Sequence, residues 1–260
     1  MLQEDLNRLC QWSSDWKLQL NPAKCKALTV TLKRKPVQTT YFVHDSPLEN
    51  VTEMRDLGVL IDSKLTFAEH INVTVRKANR ALGLFFRSLQ TGQRAGGLKT
   101  GPILAAYFGN VRSVLEYGSI IWGGAAKTNL ERLERIQHKF LLWLAFHIHS
   151  ANPPLSLAYS DLLSHFKVSS LASRRQQFDI LFVYKIILGR IDSAQLLGSI
   201  PLHVPARLTR GGNAQLLHVP FARVDSVKRG LFVRAVQHFN SFIHIIAQRS
   251  RPFYLFFWCF

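Results

Sequence analysis

Apolar positions along the chain change their period once. Leu2, Leu6, Leu9, Cys10, Trp16 and Leu20 fall mostly on one face of a helix. Pro22 is expected to stop that helix, because proline disfavours helical geometry in the residue before it. "KALTVTL" (26–32) then alternates apolar with polar residues, and "VQTTYFV" (37–43) is rich in β-branched and aromatic types, so the two read as strands of a hairpin. "DLGVLID" (56–62) reads as a third strand after Pro47.

Beyond residue 63 the period is helical. Thr66-Phe67-Ala68-Glu69 has the form of a capping box, and Ile71, Val75, Ala78, Leu82, Phe85 and Leu89 follow at steps of four and three, a narrow packing seam. "TGQRAGGLKTG" (91–101), with four glycines, marks a loop or hinge. Helices are predicted over 102–117 and 128–146, the second opened by another capping box, Thr128-Asn129-Leu130-Glu131. Its inner face is Leu130, Leu133, Gln137, Phe140 and Leu144, and "NPP" (152–154) ends that unit. Residues 155–200 read as helical again, whereas 201–230 predict no element.

Composition adds a partner class. With 47% hydrophobic residues the chain can bury a substantial core, and its formal charge of +17 favours a polyanion, nucleic acid first. The surplus is uneven, because residues 1–70 carry 9 basic and 9 acidic side chains, which leaves 24 and 7 for the rest. On the first long helix Arg76, Arg80 and Arg87 lie within about 40° of one another, opposite the seam. They form a basic stripe, set against the plainer reading of a solvated face. Arg132, Arg135 and Lys139 cluster on the second helix within about 60°, where Glu131 and Glu134 offer helix-spaced ion pairs. Arg174 and Arg175 fall in the first turn of a further helix, a poor place for cations unless an acidic group or phosphate faces them.

Other chemistry is sparse. Cys10, Cys25 and Cys259 suit neither a disulfide framework nor a zinc site and fit a reducing intracellular compartment, nucleus or cytoplasm. No metal is expected. His138, His147, His149 and His165 lack further ligands at metal spacing and read as solvated or core residues. Trp122 and Trp143 read as core or interface aromatics, with stacking on an unpaired base as the functional alternative. The charged first twenty residues exclude a signal peptide, and the closing "FYLFFWCF" is too short for a membrane span, so no membrane partner is expected. "GLKTG" and "QRAGG" lack the strand and spacing of a nucleotide fingerprint.

The order of "LQEDLNRLCQWSSDWKLQLN", "PAKCKALTV", "DLGVLIDSKLTFAEHI", "KANRALGLFFRSL" and "VRSVLEYGSIIW" resembles the C-terminal half of reverse transcriptases of non-LTR, LINE-type retrotransposons of the jockey and CR1 kind. The resemblance implies an α+β fold: a small antiparallel palm remnant at 1–62, a thumb helix at 63–92, a Gly-rich hinge at 93–101, a basic helical domain at 102–200 and a tail at 201–260. It makes Lys24 the position similar to the motif D lysine that assists pyrophosphate departure; the plainer reading is a lysine beside a turn, with Pro22 stopping the helix. It makes Leu57, Gly58 and Val59 similar to the primer-grip hairpin, where Gly58 would let the nucleic-acid backbone approach closely or simply relieve a bend.

The family's Tyr/Phe-Ala-Asp-Asp signature is missing, and no Asp-Asp pair occurs anywhere in the chain. Two magnesium ions need paired carboxylates for in-line phosphoryl transfer. The expectation is therefore a truncated copy that binds RNA, DNA or an RNA–DNA duplex without polymerising, with no cofactor of its own and Mg²⁺ only in the full-length parent. The missing fingers and palm portion is a further expected partner. The alternative is a host-recruited, non-catalytic nucleic-acid-binding or scaffold protein.

Overall fold

The computed structural model describes residues 2–35, 37, 39–92, 99–148, 157–200, 202 and 216–249. Residues 93–98 of the predicted hinge, the "NPP" break and the closing "FYLFFWCF" lie outside them. The architecture mixes helices with small two-stranded sheets, as an α+β class requires. It divides into two compact units, 1–70 and 71–260.

In the first unit, α1 (Leu2–Asp15) ends earlier than Pro22 implied. Lys17 adopts φ +54, the Leu18 N–H donates to the Ser13 carbonyl and the Lys17 N–H to the Ser14 carbonyl, a Schellman closure that needs no proline. Pro22 instead opens a 3-10 turn, Pro22–Lys24, where its fixed φ suits the first position and Asn21 Oδ1 accepts the Ala23 N–H.

The hairpin expected between 26–32 and 37–43 does not form. β1 (Lys26–Leu28) runs parallel to β4 (Glu49–Val51), with Lys26 3.1 Å from Glu49. Local turn geometry took the other segment: β2 (Phe42–Val43) pairs back on β3 (Ser46–Pro47) through His44 and Asp45, both at positive φ as a two-residue turn demands. Alternation identifies strands but not their partners.

"DLGVLID" is likewise not one strand. β5 (Glu53–Asp56) and β6 (Val59–Asp62) form an antiparallel pair closed by Leu57 (φ 43) and Gly58 (φ 88). Glycine is required by the turn itself. Val43, Leu48, Val59 and Phe67 are the buried apolar residues of this unit.

Asp62, expected only as a strand end, holds the entry to α2 (Ala68–Gly92). Its carboxylate accepts N–H groups of Lys64, Thr66 and Phe67 and the Thr66 hydroxyl. Burial raises its pKa, but those four hydrogen bonds outweigh burial and hold it below the usual range. Thr66 does cap, two residues ahead of the helix, by accepting the Ala68 N–H.

The second unit is helical. A near-continuous rod comprises α3 (Thr100–Tyr107), a π-turn at Phe108–Arg112 and α4 (Ser113–Glu116); α5 (Ser119–Trp122) follows. α6 (Lys127–Ile148) starts at Lys127, so Thr128 lies inside the helix and is not its cap; Glu131 pairs with Lys127 at 3.9 Å. Then come α7 (Tyr159–Phe166), α8 (Leu171–Ile187), α9 (Ala194–Gly198), α10 (Asp225–Lys228) and α11 (Leu231–Arg249).

Most of the predicted seam positions are buried, while Val75, Leu89 and Leu130 are half-buried. Ile71, Ala78, Leu82 and Phe85 of α2, and Leu133, Gln137, Phe140 and Leu144 of α6, face the core, where Tyr107 stacks on Phe140 with centroids 3.8 Å apart. A second cluster joins α8 to α11 through Val183, Ile186, Val236 and Phe239. Among the described residues no helix is long and apolar enough to cross a membrane.

Candidate nucleic-acid interface

Contacts between α2 and α6 determine how the two basic clusters stand. Arg132 donates to Asn72 Oδ1 near the start of both helices, and Phe86 stacks on Trp143 near their ends, centroids 4.8 Å apart and planes at 23°. Both contacts advance along both chains, so the helices lie side by side and run the same way.

At 100° per residue, taking Ile71 as zero, Phe86 and Asn72 sit about 60–100° around α2 and Arg76, Arg80 and Arg87 about 140–180°. On α6, taking Leu133 as zero, Trp143 and Arg132 lie about 80–100° in the opposite sense, with Lys139 and Arg135 about 120–160°. For parallel neighbours these opposite senses point to the same side, away from the core. The two cationic rails therefore stand on the same side of the two helices. Arg76, Arg80, Arg87, Arg135 and Lys139 are exposed and Arg132 is half-buried.

Glu134 does not neutralise that face, although its spacing from its neighbours suggested so. It turns inward, accepting the Tyr159 hydroxyl at 2.6 Å, the Leu171 and Ala172 N–H groups at 3.2 and 2.6 Å, and Arg175 Nη2 at 3.4 Å. It thus caps α8, where a carboxylate opposes the positive helix end. Burial first, then the hydrogen bond to Glu134, drives the Tyr159 pKa upward. No salt bridge to Arg135 or Lys139 occurs among the described residues.

Arg174 and Arg175 find the acidic groups their position demanded inside the fold. Arg174 donates through Nε and Nη2 to both Glu116 oxygens at 2.7 and 2.9 Å and covers the Phe178 ring. The Glu116 hydrogen bond raises its pKa, the charge-assisted effect of a bidentate pair. Arg175 is only 10% exposed beside Glu134, and burial lowers its pKa. Arg112 shares Glu116 at 3.5 Å and lies over Phe108; burial lowers its pKa too. Sequence reasoning missed Glu116 and the inward role of Glu134, because only the folded chain brings them to partners 25–58 positions away; Arg112, four positions from both Glu116 and Phe108, was missed as well.

Lys24 is exposed at the end of the 3-10 turn, and Gly58 is exposed at its hairpin tip. Both belong to the first unit and lie apart in sequence from the rails. Of the histidines, His138 contacts the Leu157 carbonyl and the Tyr159 ring, and His165 the Phe166 ring. Among the described residues no three His, Cys, Asp or Glu side chains converge as metal ligands.

Helices with exposed cations and small two-stranded sheets are what this chain presents, and by sequence it is related to the reverse transcriptases of non-LTR retrotransposons. In particular, it is similar to the probable RNA-directed DNA polymerase from transposon BS of Drosophila melanogaster, with 30% identity over 224 residues, 84% of this chain and 23% of that protein. It is 24% identical over 198 residues to the RNA-directed DNA polymerase from mobile element jockey of the same species, covering 76% of this chain and 20% of the relative. The X-element polymerase matches at 25% over 138 residues, 53% of this chain and 15% of the relative. The chain thus spans less than a quarter of the length of these relatives. It matches no protein-family model and no solved structure.

Proposed function

We propose that this chain is the C-terminal part of a non-LTR reverse transcriptase and that it binds RNA, DNA or an RNA–DNA duplex on the α2–α6 face without polymerising alone. The observation that carries the reading is the pair of cationic rails on parallel helices, supported by the similarity to RNA-directed DNA polymerases of mobile elements. Arg76, Arg80 and Arg87 form one rail and Arg135 and Lys139 the other, with Arg132 tethered to Asn72 between them. Arg174 and Arg175 act inside the fold. In this reading the surplus of basic over acidic residues beyond residue 70 supplies the long-range attraction. The lack of any Asp-Asp pair supports the absence of synthesis, since metal-assisted phosphoryl transfer has no carboxylate pair to use.

The test is a salt titration of binding to an RNA–DNA duplex. Each phosphate neutralised contributes roughly 0.9 to the slope of log affinity against log salt. Reversing Arg76, Arg80 and Arg87 to glutamate should cut that slope by about 3 and weaken binding at low salt. Unchanged affinity and slope would remove the α2 rail from the interface. In parallel, primer extension with Mg²⁺ and deoxynucleotides should incorporate nothing; extension products would overturn the non-catalytic half of the proposal.

A further inference from the structure

Helix α1 packs on its own unit with one face only. Taking Leu2 as zero at about 100° per residue, Ser13, Leu6, Cys10 and Gln3 lie about 20–100° around it in one sense. Ser13 is buried, Leu6 and Cys10 are half-buried, and Gln3 exchanges two hydrogen bonds of 2.9 Å with the Phe42 backbone at β2. Leu9, Trp16, Asp5 and Trp12 lie about 20–80° around in the other sense. The apolar side chains there are uncovered: Leu2 is 54%, Leu9 44%, Trp12 50% and Trp16 68% exposed, with the two indoles 6.4 Å apart. Trp16, whose N–H still donates to the Trp12 carbonyl at 3.1 Å, extends the helical turn just past Asp15. In sequence, Leu2, Asp5, Leu9, Trp12 and Trp16 follow one another at steps of three, four, three and four. That is the repeat of a coiled-coil seam, whose residues meet a second helix.

The charges beside the seam name its occupant. Glu4, Asp5 and Asp15 stand on α1 against Arg8 alone, which matches neither a polyanion nor an anionic lipid surface. The helix does match itself. In an antiparallel pair, setting Leu9 against the second copy's Trp12 also sets Trp16 against its Asp5 and brings Arg8 beside its Asp15. Twofold symmetry makes each of these contacts twice. Arg8 is held on its own helix by Asp5, and Asp15 accepts from Gln11 Nε2 at 2.9 Å, so both charged groups are already steadied next to the seam. Asp5, the polar member of the seam, meets an indole whose N–H can only donate. A parallel pair would instead set Asp5 against Asp5. Two indoles of roughly 150–250 Å² each, half or more of it uncovered, with the leucines and flanking charges, bring two copies to about 1,000 Å² buried in total, where specific interfaces begin. We infer that α1 is a self-association helix: two copies of this chain pair antiparallel through Leu9, Trp12 and Trp16, with two Arg8–Asp15 ion pairs along one flank. The inference uses the first unit alone and is independent of the nucleic-acid reading.

The test is sedimentation velocity of the intact chain, free of nucleic acid, across the micromolar range at physiological ionic strength. An interface of this size should give a monomer–dimer equilibrium with a dissociation constant on the order of micromolar. Leu9→Asp and Trp12→Lys, both at exposed positions, should each leave a monomer whose circular-dichroism spectrum is unchanged, which separates a lost contact from a lost fold. Arg8→Asp and Asp15→Arg should each weaken pairing roughly tenfold, because each turns two attractive pairs repulsive. Combined, the two substitutions should restore it, as only residues that face one another across the pair can do. A chain that stays monomeric at every concentration would overturn self-association and give the seam to another occupant, such as a further segment of a longer polypeptide. A dimer indifferent to Leu9→Asp and Trp12→Lys would place the contact elsewhere, and one that the charge exchange fails to rescue would overturn the antiparallel register.

Discussion

Replacing Asp179 with alanine should cost the second unit a large fraction of its stability. Asp179 is 1% exposed on α8 and accepts from Arg234 Nε at 2.8 Å and Nη2 at 3.0 Å, while His238 Nδ1 lies 3.0 Å away. The same guanidinium reaches the Ile120 and Arg229 carbonyls at 2.8 and 2.9 Å, so one carboxylate orients the side chain that ties α11 to α5 and to the end of α10. Removing it leaves Arg234, whose side chain is 12% exposed, charged and short of its counter-ion. Breaking a buried pair from one side costs about 3–5 kcal/mol, against a domain total of about 5–15 kcal/mol. With a urea slope near 2 kcal/mol per molar, the midpoint followed by far-ultraviolet circular dichroism should fall by roughly 2 M.

The pH dependence checks the cause. Burial raises the Asp179 pKa, but the hydrogen bonds from His238 and Arg234 and their charge prevail and hold the carboxyl below its ordinary value. A depressed folded pKa contributes stability that is fully present above the unfolded value near 4 and is lost as pH falls through the folded one. The gap between the chain and its Asp179→Ala variant should be full at neutral pH and shrink in acid. A loss below about 1 kcal/mol, or a gap that widens on acidification, refutes the assignment. Asp179→Leu combined with Arg234→Met should recover most of the loss, because an apolar pair replaces a buried ionic one at little cost.

Two other predictions concern the first unit. Asp62→Ala should lower stability by about 1–2 kcal/mol, the worth of a helix-entry cap, and hydrogen exchange at Thr66 and Phe67 should rise; unaltered protection there would refute the capping role. Gly58→Ala should cost roughly 1–2 kcal/mol, because φ of 88° is strained for any residue with a Cβ, and a thermal melt that does not shift would contradict the two-residue turn between β5 and β6.

Periodicity by itself determined the long helices and their inner faces, because an apolar stripe on a 3.6-residue repeat can bury itself in only one way. Ile71, Leu82, Leu133 and Phe140 needed no partner to be identified as core. Local chemistry was read less well where two signals competed: the Schellman closure at Lys17 preceded Pro22, and Gly58 served a turn in what looked like one strand. What only tertiary structure decided was pairing. Alternation could not say that 26–28 would lie parallel to 49–51, nor could helix spacing foresee that Glu134 would leave Arg135 and Lys139 to cap α8. The two basic clusters were each legible on their own helices, but whether they faced one another depended on α2 and α6 running side by side in the same direction. That relation lives in contacts such as Asn72 with Arg132 and Phe86 with Trp143, between residues about 60 positions apart, which no local repeat encodes.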